Sequence, residues 1–223
     1  LVKPFSRAGI NVVIAIIPMG WNIEDALVFN KCSVERGLFR SITSNTYVHT
    51  EQKYLAGDVI PEGTILGGQK LKFNETVVEV LARADETFVT RTEVVRTPEV
   101  GDKFCSRAGQ KGTMGIALPQ QDMPFNQDGI SPDVVINPHA FPSRMTVSQI
   151  LETAAGKLRC YGVHVDGTPF RNTFKIKDAR ELLKQQGFDS SGKETMMCGK
   201  TGQPLKSKIF HEQQELLNTY NHL

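Results

Sequence analysis

Between Gly101 and Gly115 the chain reads GDKFCSRAGQKGTMG, which sets Lys103, Arg107 and Lys111 among four glycines. Glycine lets main chain approach a ligand closely. Lysine ammonium groups act as movable point charges, while a guanidinium can grip two oxygens at once. Together these residue types suit the surrounding of a phosphate, and the same composition also suits a solvated hairpin. A P-loop does not fit: the GxxxxGK[ST] order is absent, and Lys111 is followed by Gly112.

Two further sets of charges invite chemistry. Glu24 and Asp25 are adjacent in GWNIEDA. On a regular strand they would point to opposite faces, so only a bend lets both reach one metal. They are expected to assist a divalent ion held mainly by other groups, or to form an ordinary solvated acidic turn. Arg144, in FPSRM, directly precedes a predicted helix, whose free N–H groups and positive end favour anions. It suits a triphosphate, and it equally suits a salt bridge to a nearby acid. His49, His139, His164, His211 and His222 show no metal-ligand spacing, and no Ser, His and Asp set stands out. Cys32, Cys105, Cys160 and Cys198 include no CxxC pair, so reduced thiols and no zinc site are expected.

The elements that must position these groups are mostly strands. NVVIAII at 11–17, bounded by Pro18 and Gly20, reads as a buried strand, and Ala26 to Asn30 as a second, with the acidic pair in the tight loop between them. GDVIPEGTILGG at 57–68 is turn-rich, as in a small barrel. Glu75 to Leu81 and Thr87 to Val95 form a predicted strand pair joined by Arg83 to Glu86, and a short strand lies between Pro132 and Pro138. Two helices carry start and stop signals. One has Thr146 as N-cap, Gln149 three residues on, and Gly156 as its end; the other has Asp178, Glu181 and Gly187 in the same roles. From Met196 onward the tail is polar and weakly patterned, with one strand suggested at Leu205 to Phe210.

Composition agrees with a mixed, turn-rich globular chain: 39% hydrophobic and 22% charged residues, 19 glycines and 11 prolines. Lys plus Arg number 26 against 24 Asp plus Glu, so contact with phosphate must be local rather than global. The apolar run at 11–17 is too short to cross a bilayer, and no membrane partner is expected. The start, Leu1-Val2-Lys3-Pro4-Phe5, lacks an initiator Met and reads as a chain entered in its middle.

Read together, GDKFCSRAGQKGTMG and DMPFNQDGISPDVVINPHAFPSRMTVSQILE at 122–152 resemble the second-largest subunit of multisubunit DNA-directed RNA polymerases, in its eukaryotic, archaeal or large-DNA-virus form. GWNIEDALVFNKCSVERGLFRS at 20–41 is similar to that family's earlier acidic motif, and GFDSSGKETMMCGKTGQPLKSKIF at 187–210 to its later strand region. The resemblance covers the central to carboxy-terminal, hybrid-binding region of that beta-subunit family. It implies a β-dominated mixed fold with a double-psi β-barrel core and short C-terminal helices. Residues 1–156 would form the catalytic-core barrel region, with a flap-like insertion at about 42–98, and 157–223 the remainder of the hybrid-binding region.

The resemblance also implies roles. The largest subunit would hold the catalytic magnesium, with Glu24 and Asp25 near a second Mg2+ that enters with the nucleotide. Lys103 and Lys111 would contact the RNA end and nucleotide phosphates, Arg144 the triphosphate, and Arg107 the hybrid backbone or a bracing partner. The implied partners are the largest subunit, smaller assembly subunits, DNA template, RNA and NTPs, at an intracellular location. Templated nucleotidyl transfer would belong to the complex and not to this chain alone; the alternative is an assembly module without catalysis. Ala108 stands where the family motif has histidine, the stretch from Phe39 to Gly101 is short, and HEQQELLNTYNHL departs from the family pattern.

Overall fold

The computed structural model describes residues 9–51, 53–166, 168 and 175–218. The Leu1–Phe5 start, His222 and the last five residues of the divergent tail lie outside the described residues. The chain divides into two compact units, Arg40–Thr97 and the residues on either side of it.

The larger unit begins with strands β1 (Gly9–Ile16) and β2 (Ala26–Asn30) and the one-turn helix α1 (Lys31–Glu35). The smaller unit contributes β3 (Ser41–His49), β4 (Val59–Ile60), β5 (Ile65–Leu66), β6 (Gln69–Lys70), β7 (Glu75–Ala82) and β8 (Phe88–Arg96). The larger unit then resumes with β9 (Lys103–Ser106), β10 (Lys111–Leu118), β11 (Phe125–Asn126) and β12 (Val134–Ile136). It ends with α2 (Val147–Cys160), α3 (Ile176–Gln185), β13 (Lys193–Glu194), β14 (Met196–Met197) and β15 (Ile209–Asn218). The fold is β-dominated with short helices.

In the larger unit the strand order is β1-β12-β2-β10-β9-β15, and β15 also pairs with β1, so the hydrogen-bonded neighbours return to their start. A ring of six strands leaves no free edge between its first and last members. β1 with β12, and β2 with β10, run parallel; the other pairs in the ring are antiparallel.

The apolar run in β1 is continuous because both of its faces are buried. Val12, Ile14 and Ile16 join Leu27, Phe29, Phe104, Met114, Val134 and Ile136 in one core. Ala15 and Ile17 join Val28, Val135, Leu118 and Met123 in a second. Alternation along β2 and β12 divides each strand between the same two cores. In β10 the alternation is broken on purpose: Met114 pairs with Leu27 and Ile116 with Val28, leaving Gly115 as an extra residue. This bulge turns β10 from the first core to the second. A Cβ on Gly115 would lie 3.3 Å from Ala26 Cβ and from the Trp21 carbonyl oxygen, so the last glycine of the basic motif is where two main chains approach closely.

Asp133 ties the ring to α1. Its carboxylate accepts from the Val13 N–H (2.9 Å) and the Ser33 hydroxyl (2.6 Å), and Arg36 donates to that hydroxyl (2.9 Å). α1 itself, not anticipated from sequence, starts because Asn30 Oδ1 accepts from the Cys32 N–H (3.1 Å).

Four expectations need correction. Gly156 does not end α2, which runs on to Cys160 because Lys157 and Leu158, the next two residues, are buried. Thr146 occupies the N-cap position of α2 without a side-chain capping bond, since its hydroxyl is directed to Gln110, and α3 starts at Ile176 with Asp178 already in its first turn. The tail strand is β15, Ile209–Asn218, rather than Leu205 to Phe210.

No described helix is long and apolar enough to cross a membrane.

Candidate functional site

β9 and β10 make a hairpin whose turn is Arg107 to Gln110. Gly109 sits at φ 82°, where its N–H donates to the Ser106 carbonyl (2.9 Å) and a side chain would strain the turn. Lys103 is opposite Thr113 and Cys105 opposite Lys111. Phe104 and Met114 point into the first core, so alternation sends both lysines to the other, exposed face. They are diagonal neighbours there, about 7 Å apart along the sheet surface. Cys105 lies between them, and burial pushes its thiol pKa up, which keeps it neutral beside the cations.

The acidic turn is bound to this hairpin. The Asp25 carbonyl accepts from the Thr113 N–H (2.9 Å), directly along the edge of β10. Buried Asn22 shapes the turn, accepting from the Met19 N–H and donating to the Ile17 carbonyl, both at 2.8 Å. Glu24 adopts φ 58°, the bend that adjacent carboxylates need to escape opposite faces. Asp25 Oδ1 is engaged by Arg144 Nη2 at 2.5 Å. Among the described residues no three His, Cys, Asp or Glu side chains come together as metal ligands.

Arg107 reaches Glu152 on α2, Nη2 to Oε1 at 3.2 Å. Thr146 Oγ1 lies 3.4 Å from Gln110 Oε1, a second link between the hairpin turn and the start of α2. The structure thus gathers all six sequence-identified residues at one end of the ring. Lys103 and Lys111 share one exposed face, and Arg107 and Arg144 make ion pairs with Glu152 and Asp25. Glu152, Gln110 and Asn22 were not singled out from sequence. Gln110 lies inside the basic motif and Asn22 inside the acidic turn, so proximity was their only signal; Glu152 had none.

Glu24, Asp25, Cys105, Gln110 and Lys111 border a cleft of about 20 Å³, room for one water-sized group.

The family model for RNA polymerase Rpb2, domain 6, matches residues 5–64 and 70–213. A probable DNA-directed RNA polymerase II subunit RPB2 homolog of Invertebrate iridescent virus 3 is 35% identical over 263 residues, covering 91% of this chain and 23% of that protein. DNA-directed RNA polymerase subunit Rpo2 of Sulfolobus acidocaldarius is 34% identical over 268 residues, with 91% and 24% covered. DNA-directed RNA polymerase II subunit RPB2 of Schizosaccharomyces pombe is 33% identical over 269 residues, with 91% and 22% covered. The chain spans about a quarter of the length of the curated relatives it matches. Matched by that family model over most of its length and by these relatives over nine-tenths of it, this chain belongs to the RNA polymerase Rpb2 domain 6 family and corresponds to part of the polymerase's second subunit.

Proposed function

We propose that this chain supplies the basic groups of a nucleotidyl-transfer site that is completed by the largest polymerase subunit. The observation that carries this reading is the placement of Lys103 and Lys111 on one exposed face of a rigid hairpin, beside Asp25 and Arg144. In templated transfer the RNA 3′-hydroxyl attacks the α-phosphate and pyrophosphate leaves, so negative charge grows on phosphoryl oxygens. Cations held in position before reaction offset that charge without reorganisation. Lys103 and Lys111 together are assigned to the RNA end and the nucleotide phosphates. Magnesium, held mainly by the largest subunit, would supply the Lewis acid. Glu24 and Asp25 stand toward it as outer groups, while the six-stranded ring is the double-psi barrel of this family.

Arg144 orients toward the triphosphate in this reading, and its bond to Asp25 fixes the direction of its fork. Arg107 braces the hairpin through Glu152. Trp21, Ile23 and Met145, which flank these charges in sequence, are 61%, 67% and 84% exposed, apolar surface of the kind a partner subunit covers. DNA template, RNA, NTPs and the smaller assembly subunits complete the complex, which works inside the cell.

A scaffold reading rests on a specific observation as well: Arg107 and Arg144 are each paired with a carboxylate, that of Glu152 and that of Asp25. Primer extension on a DNA template separates the two. This chain is combined with its largest subunit and the companion segments of the second subunit. Extension that is lost in Lys103→Ala and Lys111→Ala, with assembly retained, supports a catalytic contribution. Undiminished extension in both variants refutes it and leaves the hairpin as scaffold.

A further inference from the structure

The smaller unit holds a groove unrelated to the hairpin site. Its sheet runs in the order β3-β8-β7-β4 over a core of Tyr47, Ile60, Leu66, Leu71 and Val77. Between β3, the end of β8 and the segment 69–75 lies a cavity of about 230 Å³. Its floor includes the Glu75 carboxylate, only 3% exposed, which accepts from Asn45 Nδ2 and the Tyr47 hydroxyl, both at 3.0 Å, and from the Thr92 hydroxyl. All three donors are neutral, so the floor is satisfied without an ion pair. The Tyr47 phenol pKa is pushed up to about 12 by burial and by the Glu75 carboxylate, which keeps it a donor.

The rim has the opposite character. Lys70, Lys72 and Arg96 are exposed around the opening. The Arg96 guanidinium lies 4.4 Å over the Phe73 ring, which holds its fork in a fixed plane. None of the three has a carboxylate partner among the described residues. This concentration is local, because residues 40–97 as a whole carry seven Lys and Arg against eight Asp and Glu.

β3 is the terminal strand of its sheet. Gly67 packs against the main chain of Val48 at one end, while Ile42 to Ser44 and Thr46 are exposed. An open edge offers main-chain N–H and C=O groups to an extended peptide, with side-chain pockets setting the specificity. Every second residue of such a peptide would reach the side of the sheet that carries Thr43, Asn45 and the cationic rim.

We propose that the Lys70, Lys72 and Arg96 groove, beside the open edge of β3, binds an acidic, extended segment of a protein partner. A single-stranded nucleic acid is the weaker fit for two reasons. The exposed aromatic, Phe73, already has a guanidinium on its ring, whereas base stacking needs a free face. The cations also ring one groove instead of tracking a backbone.

The test measures fluorescence anisotropy of three labelled probes with the full chain at low salt: a short alternating Glu-Val peptide, a Lys-Val peptide of equal length, and a short oligothymidylate. The Glu-Val peptide is expected to bind and to weaken as salt is raised. Lys70→Glu/Lys72→Glu and, separately, Arg96→Gln should each weaken it by about tenfold, with the circular dichroism spectrum unchanged. The inference is overturned by failure of the Glu-Val peptide to bind, by unchanged affinity in both variants, by equal binding of the Lys-Val peptide, or by tighter oligothymidylate binding that competes for the same residues. Because the readout needs neither the largest subunit nor transcription, its result is independent of the proposed hairpin function.

Discussion

The strongest internal constraint on α2, the helix that braces the basic hairpin, is the ion pair between Lys157 and Glu194. Their side chains are 6% and 21% exposed, and Nζ to Oε1 is 2.5 Å. Lys157 also donates to the Gly192 carbonyl (3.1 Å) and lies 4.5 Å over the Phe188 ring. Glu194 accepts from Asn126 (3.1 Å) and stands 3.6 Å from His211. Removing one partner of a buried pair strands the other charge, at about 3–5 kcal/mol. Glu194→Gln should fall in that range, because the nearly enclosed ammonium keeps one carbonyl as a full partner. Lys157→Met should cost about 2 kcal/mol, since Glu194 retains two polar neighbours and some solvent. The double variant Lys157→Met/Glu194→Leu should cost less than the sum of the singles by about 1–3 kcal/mol.

Acid should act through the same pair. Burial opposes the charged form of Glu194, but hydrogen bonds from His211, Lys157 and Asn126 outweigh it and lower the pKa from 4.5 to about 2. A lowered folded-state value contributes stability that is complete above about 4.5 and is lost as pH falls toward 2. With the partial exposure of Glu194 discounted, this contribution is about 1–2 kcal/mol. Urea unfolding followed by far-ultraviolet circular dichroism, at neutral pH and across the acid range, measures both effects. A Glu194→Gln cost under about 1 kcal/mol, or strict additivity in the double variant, would refute the reasoning.

Other expected outcomes are independent of that pair. Lys103→Ala and Lys111→Ala remove exposed side chains, so their urea midpoints should match the parent while primer extension by the assembled enzyme falls by about tenfold or more. Arg144→Ala should raise the nucleotide concentration needed for half-maximal extension; Asp25→Asn, which leaves the arginine in place but releases its fork, should have a smaller effect of the same sign. An unchanged nucleotide requirement in Arg144→Ala would make that arginine structural. A Cβ on Gly199 would sit 2.2 Å from the Met123 carbonyl oxygen and 2.6 Å from that of Gln121. Gly199→Ala should therefore destabilise the larger unit by about 1–3 kcal/mol, read as a lowered urea midpoint.

Local pattern carried the sequence reading far where one segment satisfies its own rules. β2 occupies the expected span, β7 runs one residue further at its end and β8 is shifted by one residue at both ends, because apolar alternation and the turn Arg83 to Glu86 mark them directly. β15 escaped notice because IFHEQQELLN is rich in Glu and Gln, which have little intrinsic strand preference. It is a strand because β1 and β9 each present a free row of hydrogen-bonding groups that it joins, a demand made from distant parts of the chain. Gly156 misled for a similar reason: tertiary burial of Lys157 and Leu158 outweighs the weak helix preference of one glycine.

The same division holds at the candidate site. Residue types alone determined that Lys103, Arg107 and Lys111 form a glycine-spaced basic segment, that Glu24 and Asp25 occupy a turn, and that Arg144 precedes a helix. Those are properties of neighbours in the chain. Only the tertiary structure decided where these charges point and which arginine meets which acid, sending both lysines to one exposed face while giving Arg144 to Asp25 and Arg107 to Glu152. Strand alternation is set by the core that the hairpin must cover, and an ion pair by what folding brings within a few ångströms; neither quantity is local to the segment that carries the charge.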